Sequence, residues 1–256
     1  MPNNIKWYGW IPDHPDPRDK IYKVGRRILR ALPPKVDLRS QCPAVYDQGN
    51  LGSCTANAGS GIYQFNQIQQ NYLWRAIPSR LFLYYNTRVL EGTVSYDSGA
   101  SIRNTIKAIA GTGMAPASDW PYKIAKFAVK PPPKVYTFAA NHKAVNYQRI
   151  VPTIDQLKGC LASNECFIFG FSVFDGFESA QVAQTGVVNL PGPNERLLGG
   201  HAVMAVGYDD TTQRFMIRNS WGLGWGIEGS GYFTMPYDYL TNTNLSDDFW
   251  AVKIIS

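Results

Sequence analysis

Gln48-Gly49-Asn50-Leu51-Gly52-Ser53-Cys54 is a glycine-bearing turn that runs directly into residues 55–73, where Ala58, Ile62, Phe65 and Ile68 recur at helical spacing. The glycines predict a backbone that another chain can approach closely, and the periodicity predicts a buried helix beginning beside Cys54. A cysteine at a helix N-terminus lies among free N–H groups and the positive end of the macrodipole, both of which favour a thiolate. Working outward, residues 79–90 and 100–110 also read as helices, the second ended by Gly111-Thr112-Gly113. After Pro131-Pro132-Pro133 the character changes. Residues 135–138, 167–173, 202–208, 215–218 and 231–235 are strand-prone, interrupted by one helix at 154–161 with Thr153 as its N-cap and Gln156 three residues on. Helices first and strands second predict an α+β chain of two lobes, with residues 1–34, rich in proline and charge, as an extended lead-in.

The chain has 256 residues, 45% of them hydrophobic and 17% charged, so it can bury a sizeable core and is far from the disordered class. Its 25 basic against 19 acidic residues give a net charge of +6, which raises nucleic acid as a partner. The charges are scattered, however, and the one tight cluster, Arg26, Arg27 and Arg30, reads as a solvated segment. No apolar run has the length of a membrane span, and residues 1–17 show no charged stretch followed by an apolar one. A soluble protein with no nucleic-acid or membrane partner and no secretory signal in the given chain is expected. Cys42, Cys54, Cys160 and Cys166 lack the paired spacing of a zinc site, so neither a metal nor another cofactor is expected. Cys160 and Cys166 enclose a short loop; a disulfide between them and reduced, buried thiols are both open.

Of the four cysteines only Cys54 combines a glycine turn with a helix start. A nucleophilic thiol needs an imidazole partner. His14 lies in the lead-in and His142 in a polar stretch, whereas His201 follows Gly199-Gly200 and opens a strand-prone run, making it the best placed base. Asn219, at the end of the next such run, is placed to hold the ring's tautomer from a paired strand.

Gln48 to Cys54, Gly200-His201-Ala202-Val203, and Asn219-Ser220-Trp221-Gly222-Leu223-Gly224-Trp225-Gly226 resemble, in order, the three active-site blocks of papain-family cysteine peptidases. The resemblance covers about residues 34–256. It implies the papain-like two-lobed fold, with a mainly helical lobe over about 35–130, an antiparallel β-barrel-like lobe over about 131–256, and an active-site cleft between them. It implies a monomeric endopeptidase acting on peptide or protein substrates without a cofactor. Cys54 would be the nucleophile, His201 the base and then the acid, Asn219 its orienting partner, and Gln48 an oxyanion-hole donor with the Cys54 N–H. Trp221 would shield the Asn219–His201 bond. Gly52, Ser53 and Gly99 would lie along the substrate backbone, and Phe171 and Gly200 would line an apolar pocket for the second residue upstream of the cut.

The departures are specific. Leu51 and Thr55 stand where the family has a cysteine and an aromatic residue, so one family disulfide is absent. The lead-in is too short for a long helical pro-segment; residues 9–19, GWIPDHPDPRD, resemble the N-terminal segment of bacterial members. It is expected to lie along the body and over part of the cleft, either restraining activity or serving as a surface strap. A catalytically silent binding protein, and an amidase or transpeptidase on the same fold, are the alternative functions.

Overall fold

The computed structural model describes residues 8–71, 76–143 and 145–254. After an exposed one-turn helix α1 (Arg26–Leu29), which carries the basic cluster, the chain forms β1 (Lys35–Asp37) and enters the first lobe. There α2 (Cys54–Gln69), α3 (Arg80–Glu91) and α4 (Ile102–Gly111) pack together, followed by α5 (Pro133–Ala139). The start of α3 is fixed by Ser79 and that of α4 by Ser101, each hydroxyl accepting from a backbone N–H three residues on. Leu73, the expected end of α2, lies outside the described residues.

The second lobe contains β2 (Val145–Arg149), α6 (Ile154–Ala162), β3 (Phe167–Phe174), α7 (Ala180–Thr185), β4 (Leu197–Asp209), β5 (Arg214–Arg218), β6 (Tyr232–Pro236), α8 (Tyr237–Thr241) and β7 (Ser246–Ile254). Its strands form one antiparallel sheet in the order β2-β7-β3-β4-β5-β6, with β1 joining β4. Among the described residues β2 and β6 do not pair, so the expected barrel is open along that line.

Two hydrophobic cores meet on α2. Ala56 and Tyr63 face Leu81, Phe82, Ile109 and Val135 of the helical lobe, while Cys54, Ala58, Ile62 and Phe65 face the sheet. A helix buried on nearly every side is a partition between cores rather than an amphipathic surface helix. That position puts its N-terminus, and hence Cys54, on the boundary between lobes.

Residues 135–138 are not a strand. Pro132 and Pro133 open a helix there, and Val135 and Ala139, four apart, bury one face of it; a proline fits the first helical turn because its missing N–H has no intrahelical partner anyway. β7 was not foreseen either, because it starts with Ser246, Asp247 and Asp248, residues depleted in strands.

Candidate active site

Cys54 is the first residue of α2 and is fully buried. Burial raises its thiol, and the nearby backbone N–H groups of Ala202, Gly9, Thr55 and Cys54 itself oppose that rise. Ala202 follows His201 on β4, so the helix start and the strand meet at the thiol. His201 is 1% exposed, and its Nε2 lies 2.8 Å from Asn219 Oδ1. Its Nδ1 has no hydrogen-bond partner among the described residues. Trp221 lies tilted against the imidazole at 5.3 Å between centroids, and Phe177 packs edge-on against Trp221 at 5.2 Å, so the His201–Asn219 bond is flanked by aromatic rings.

Gln48 is locked to the asparagine loop on both sides. Its N–H donates to Ser220 O at 2.9 Å, its Oε1 accepts from the Ser220 hydroxyl at 2.6 Å, and its Nε2 donates to Leu51 O at 3.0 Å. Oε1 is thereby occupied and the donor end of the amide is turned toward the Cys54 turn. Gln48→Ala is expected to lower kcat about 100-fold with little change in KM, the usual cost of one oxyanion donor; steady-state kinetics on a fluorogenic peptide reads this, and a change in KM alone contradicts it.

A segment of the chain itself fills the groove above these residues. Residues 8–11 pass between the lobes: Ala100 N–H donates to Gly9 O at 2.7 Å, Ile11 N–H to Ala100 O at 3.1 Å, and Trp10 N–H to Gly200 O at 2.9 Å. Gly9 lies so close to Gly52 that a Cβ on it would come within 1.9 Å of Gly52 O, and a Cβ on Gly99 (φ 72°) would come within 2.5 Å of Gly9 O. Tyr8 lies against His201 and Trp221 and donates its hydroxyl to Glu178. Further along, Arg103 pairs with Asp19, and Arg149 with Asp13, while Tyr22 and Val24 enter the core. A cavity of about 790 Å³ lies apart from the groove, beside Val89 and residues 131–133.

Under this cover the thiol and the imidazole are both shifted toward their uncharged forms. Burial pushes the Cys54 thiol up to about 11 against the pull of the surrounding N–H groups, and burial pushes His201 down to about 4 although Asn219 opposes it. Burial, and then the nearby Asp13 carboxylate, push Asp248 up to about 7.

The structure brings together Cys54, His201, Asn219, Gln48, Gly52, Gly99, Gly200 and Trp221. Two residues differ from expectation. Phe171 does not line the groove: successive strand residues point to opposite faces, and it is Gly170 that meets Trp10 while Phe171 packs behind His201 and Phe177. Ser53 is buried, its hydroxyl taken by Tyr122 at 2.6 Å and Asn57 at 3.0 Å inside the helical lobe. The four cysteines are free; Cys160 donates to Glu165 O and Cys42 to Leu38 O. Among the described residues no group of three or more His, Cys, Asp or Glu side chains is arranged to hold a metal.

Sequence reading missed a link between the two glycine edges of the groove. Asp97 accepts from Gly52 N–H at 2.9 Å and from the Tyr84 hydroxyl, and that hydroxyl accepts from Gly99 N–H at 3.1 Å. Arg88, stacked 4.1 Å over Tyr84, bonds Val94 O and Tyr96 O and so holds the same loop. The position of Asp97 two residues before Gly99 was the available signal. Tyr84→Phe is expected to raise KM about fivefold while kcat stays within about twofold, because one hydrogen bond that sets the groove width is lost. An equal fall in kcat with KM unchanged contradicts a positioning role.

A thiol at a helix N-terminus, an imidazole fixed by an amide oxygen on the adjoining sheet, and a groove between them that holds an extended peptide are the parts that thiol-based acyl transfer requires. The chain belongs to the papain family of cysteine proteases, whose family description matches residues 32–251. It is similar to the solved structure of xylellain, a cysteine protease from Xylella fastidiosa, with 45% identity, a TM-score of 0.92, and 97% of this chain and 96% of that chain covered. It is 40% identical to an uncharacterized peptidase C1-like protein of Acanthamoeba polyphaga mimivirus, over 97% of this chain and 87% of the relative. Procathepsin B S9 from Trypanosoma congolense, at 16% identity, a TM-score of 0.74, and 99% of this chain and 88% of that chain covered, shares the fold.

Proposed function

We propose that the chain is an endopeptidase that hydrolyses peptide bonds through a thioester on Cys54, and that residues 8–24 hold it inactive until displaced. The observation that carries this reading is the strap itself: a continuous extended backbone lies in the groove on both sides of Cys54, from Tyr8 beside Trp221 to Ile11 beside Ala100. A groove that takes backbone on either side of the thiol suits cleavage within a chain rather than at its terminus.

In the reaction the Cys54 proton passes to His201 and the sulfur attacks the scissile carbonyl carbon, forming the C–S bond. The oxyanion is met by the Cys54 N–H and the Gln48 amide. His201 returns the proton to the leaving nitrogen as the C–N bond breaks, and water, deprotonated by His201, then cleaves the thioester to the acid and the free thiol. Asn219 keeps the imidazole in the tautomer this requires. The seated strap opposes the first step by burying both partners, and its Gly9 carbonyl is engaged by the Ala100 N–H at 2.7 Å.

Incubation of a strap-loosened full chain, Trp10→Ala, with an unstructured protein is expected to yield internal cuts by mass spectrometry. Release of terminal residues or dipeptides alone overturns the endopeptidase reading.

A further inference from the structure

Gln48 and Cys54, which carry the two oxyanion donors of the proposed reaction, stand at opposite ends of a turn that contains Gly49, at a left-handed φ of 56°, and Gly52. Glycine backbone is the freest in a chain, so the spacing of the donors depends on what holds the turn from outside. Tyr122, on the loop between α4 and α5, reaches both ends at once. Its hydroxyl donates to Gln48 O at 2.9 Å and lies 2.6 Å from Ser53 Oγ. A phenol has one proton, so with that proton on Gln48 O the serine hydroxyl is the donor to the tyrosine oxygen. Burial raises the Tyr122 hydroxyl above its ordinary range, against the pull of Ser53 and Arg80, and it therefore stays a donor at neutral pH.

The bonds continue past Ser53 and return to the turn. Asn57 donates through Nδ2 to Ser53 Oγ at 3.0 Å and to Ser53 O at 2.9 Å, while its Oδ1 accepts from Arg80 at 2.9 Å. The same Arg80 nitrogen donates to Asp47 O at 2.7 Å. Arg80, Asn57, Ser53, Tyr122 and Gln48 thus form a closed ring, completed through Asp47. The Arg80 guanidinium also lies over the Tyr122 ring at 4.0 Å and over the Tyr46 ring at 4.7 Å, which fixes the plane of the phenol. Gln48, Ser53 and Asn57 are buried, where a lost hydrogen-bond partner is costly.

We propose that Tyr122 is a positioning residue of this peptidase, holding the Gln48 amide and the Cys54 N–H at the spacing the oxyanion needs, with Arg80 as its clamp. It acts through Gln48 and Ser53 rather than on the substrate. The proposal rests on the peptidase reading and on Gln48 as an oxyanion donor.

The test uses the full chain carrying Trp10→Ala and a fluorogenic peptide amide. Tyr122→Phe keeps the ring under Arg80 and removes only the hydroxyl. It is expected to lower kcat about tenfold with KM within about twofold, a smaller loss than for Gln48→Ala because the donors are displaced rather than deleted. In the Gln48→Ala background the same substitution is expected to cost no more than about threefold, because one of the two groups it positions is already gone. Arg80→Lys, which keeps the charge but loses the planar fork and the stack, is expected to lower kcat about threefold with KM held. A kcat within about twofold of the parent for Tyr122→Phe, a change confined to KM, or the full tenfold loss repeated in the Gln48→Ala background overturns the role of Tyr122 and leaves the peptidase reading standing. Where Tyr122→Phe does not fold, Arg80→Lys decides, and an unchanged kcat there overturns the ring. Absence of turnover in the Trp10→Ala parent, while its Cys54→Ala counterpart still binds the blocked peptide by calorimetry, sinks the peptidase reading and the positioning role with it.

Discussion

Replacing Cys54 by alanine is expected to remove peptide hydrolysis by at least about 10⁴-fold in kcat, because no other group in the groove can form the acyl intermediate and only substrate binding and oxyanion donors remain. The choice of thiol is sharply testable because three other cysteines are present. Cys160 and Cys166 are buried in the core, and burial raises both thiols further from ionisation. Cys42, lowered by its hydrogen bond with Cys166, is the one rival, and it lies outside the groove. A peptide epoxide that traps active thiols is expected to label Cys54 in the Trp10→Ala chain and nothing in its Cys54→Ala counterpart. Labelling that persists at Cys42, or turnover that survives the alanine substitution, overturns the assignment.

The second large effect belongs to Trp10. Its indole is 9% exposed, wedged between Gly170 and Gly200, and bonded to Asp248. Truncating a buried tryptophan typically costs about 3–5 kcal/mol, here charged to the seated strap relative to the displaced one. Trp10→Ala is therefore expected to raise kcat/KM of the full chain by up to about 10³-fold, levelling off once most molecules are open. The thiol reports the same equilibrium. With the strap seated the Cys54 thiol is held up to about 11, so alkylation by iodoacetamide in the intact chain rises only toward strongly alkaline pH. In Trp10→Ala the same reaction is expected to become fast near neutrality, as water and the imidazole gain access to the sulfur. Unchanged turnover and an unchanged alkylation profile make residues 8–24 a structural strap only.

How much of this was legible beforehand depended on the range over which each signal acts. The helix from Cys54, its two sequels and the strands around His201 and Asn219 carry local periodicity and caps, and the four candidate catalytic residues stand in short blocks whose spacing encodes their geometry. Cys54 falls on the boundary between the lobes because α2 must bury apolar residues toward both, leaving its N-terminus no other place. Tertiary structure alone decided the rest. β3 is buried along most of its length, so no alternation of polar and apolar residues marks its faces, and Gly170 rather than Phe171 at the groove was unreadable. Asp248 reads as half of an exposed acidic pair until the bulge in β7 turns it inward. The path of residues 8–11 depends on bonds to Ala100 and Gly200, about ninety and one hundred and ninety positions away, and a chain of prolines and charges has no local preference that encodes such partners.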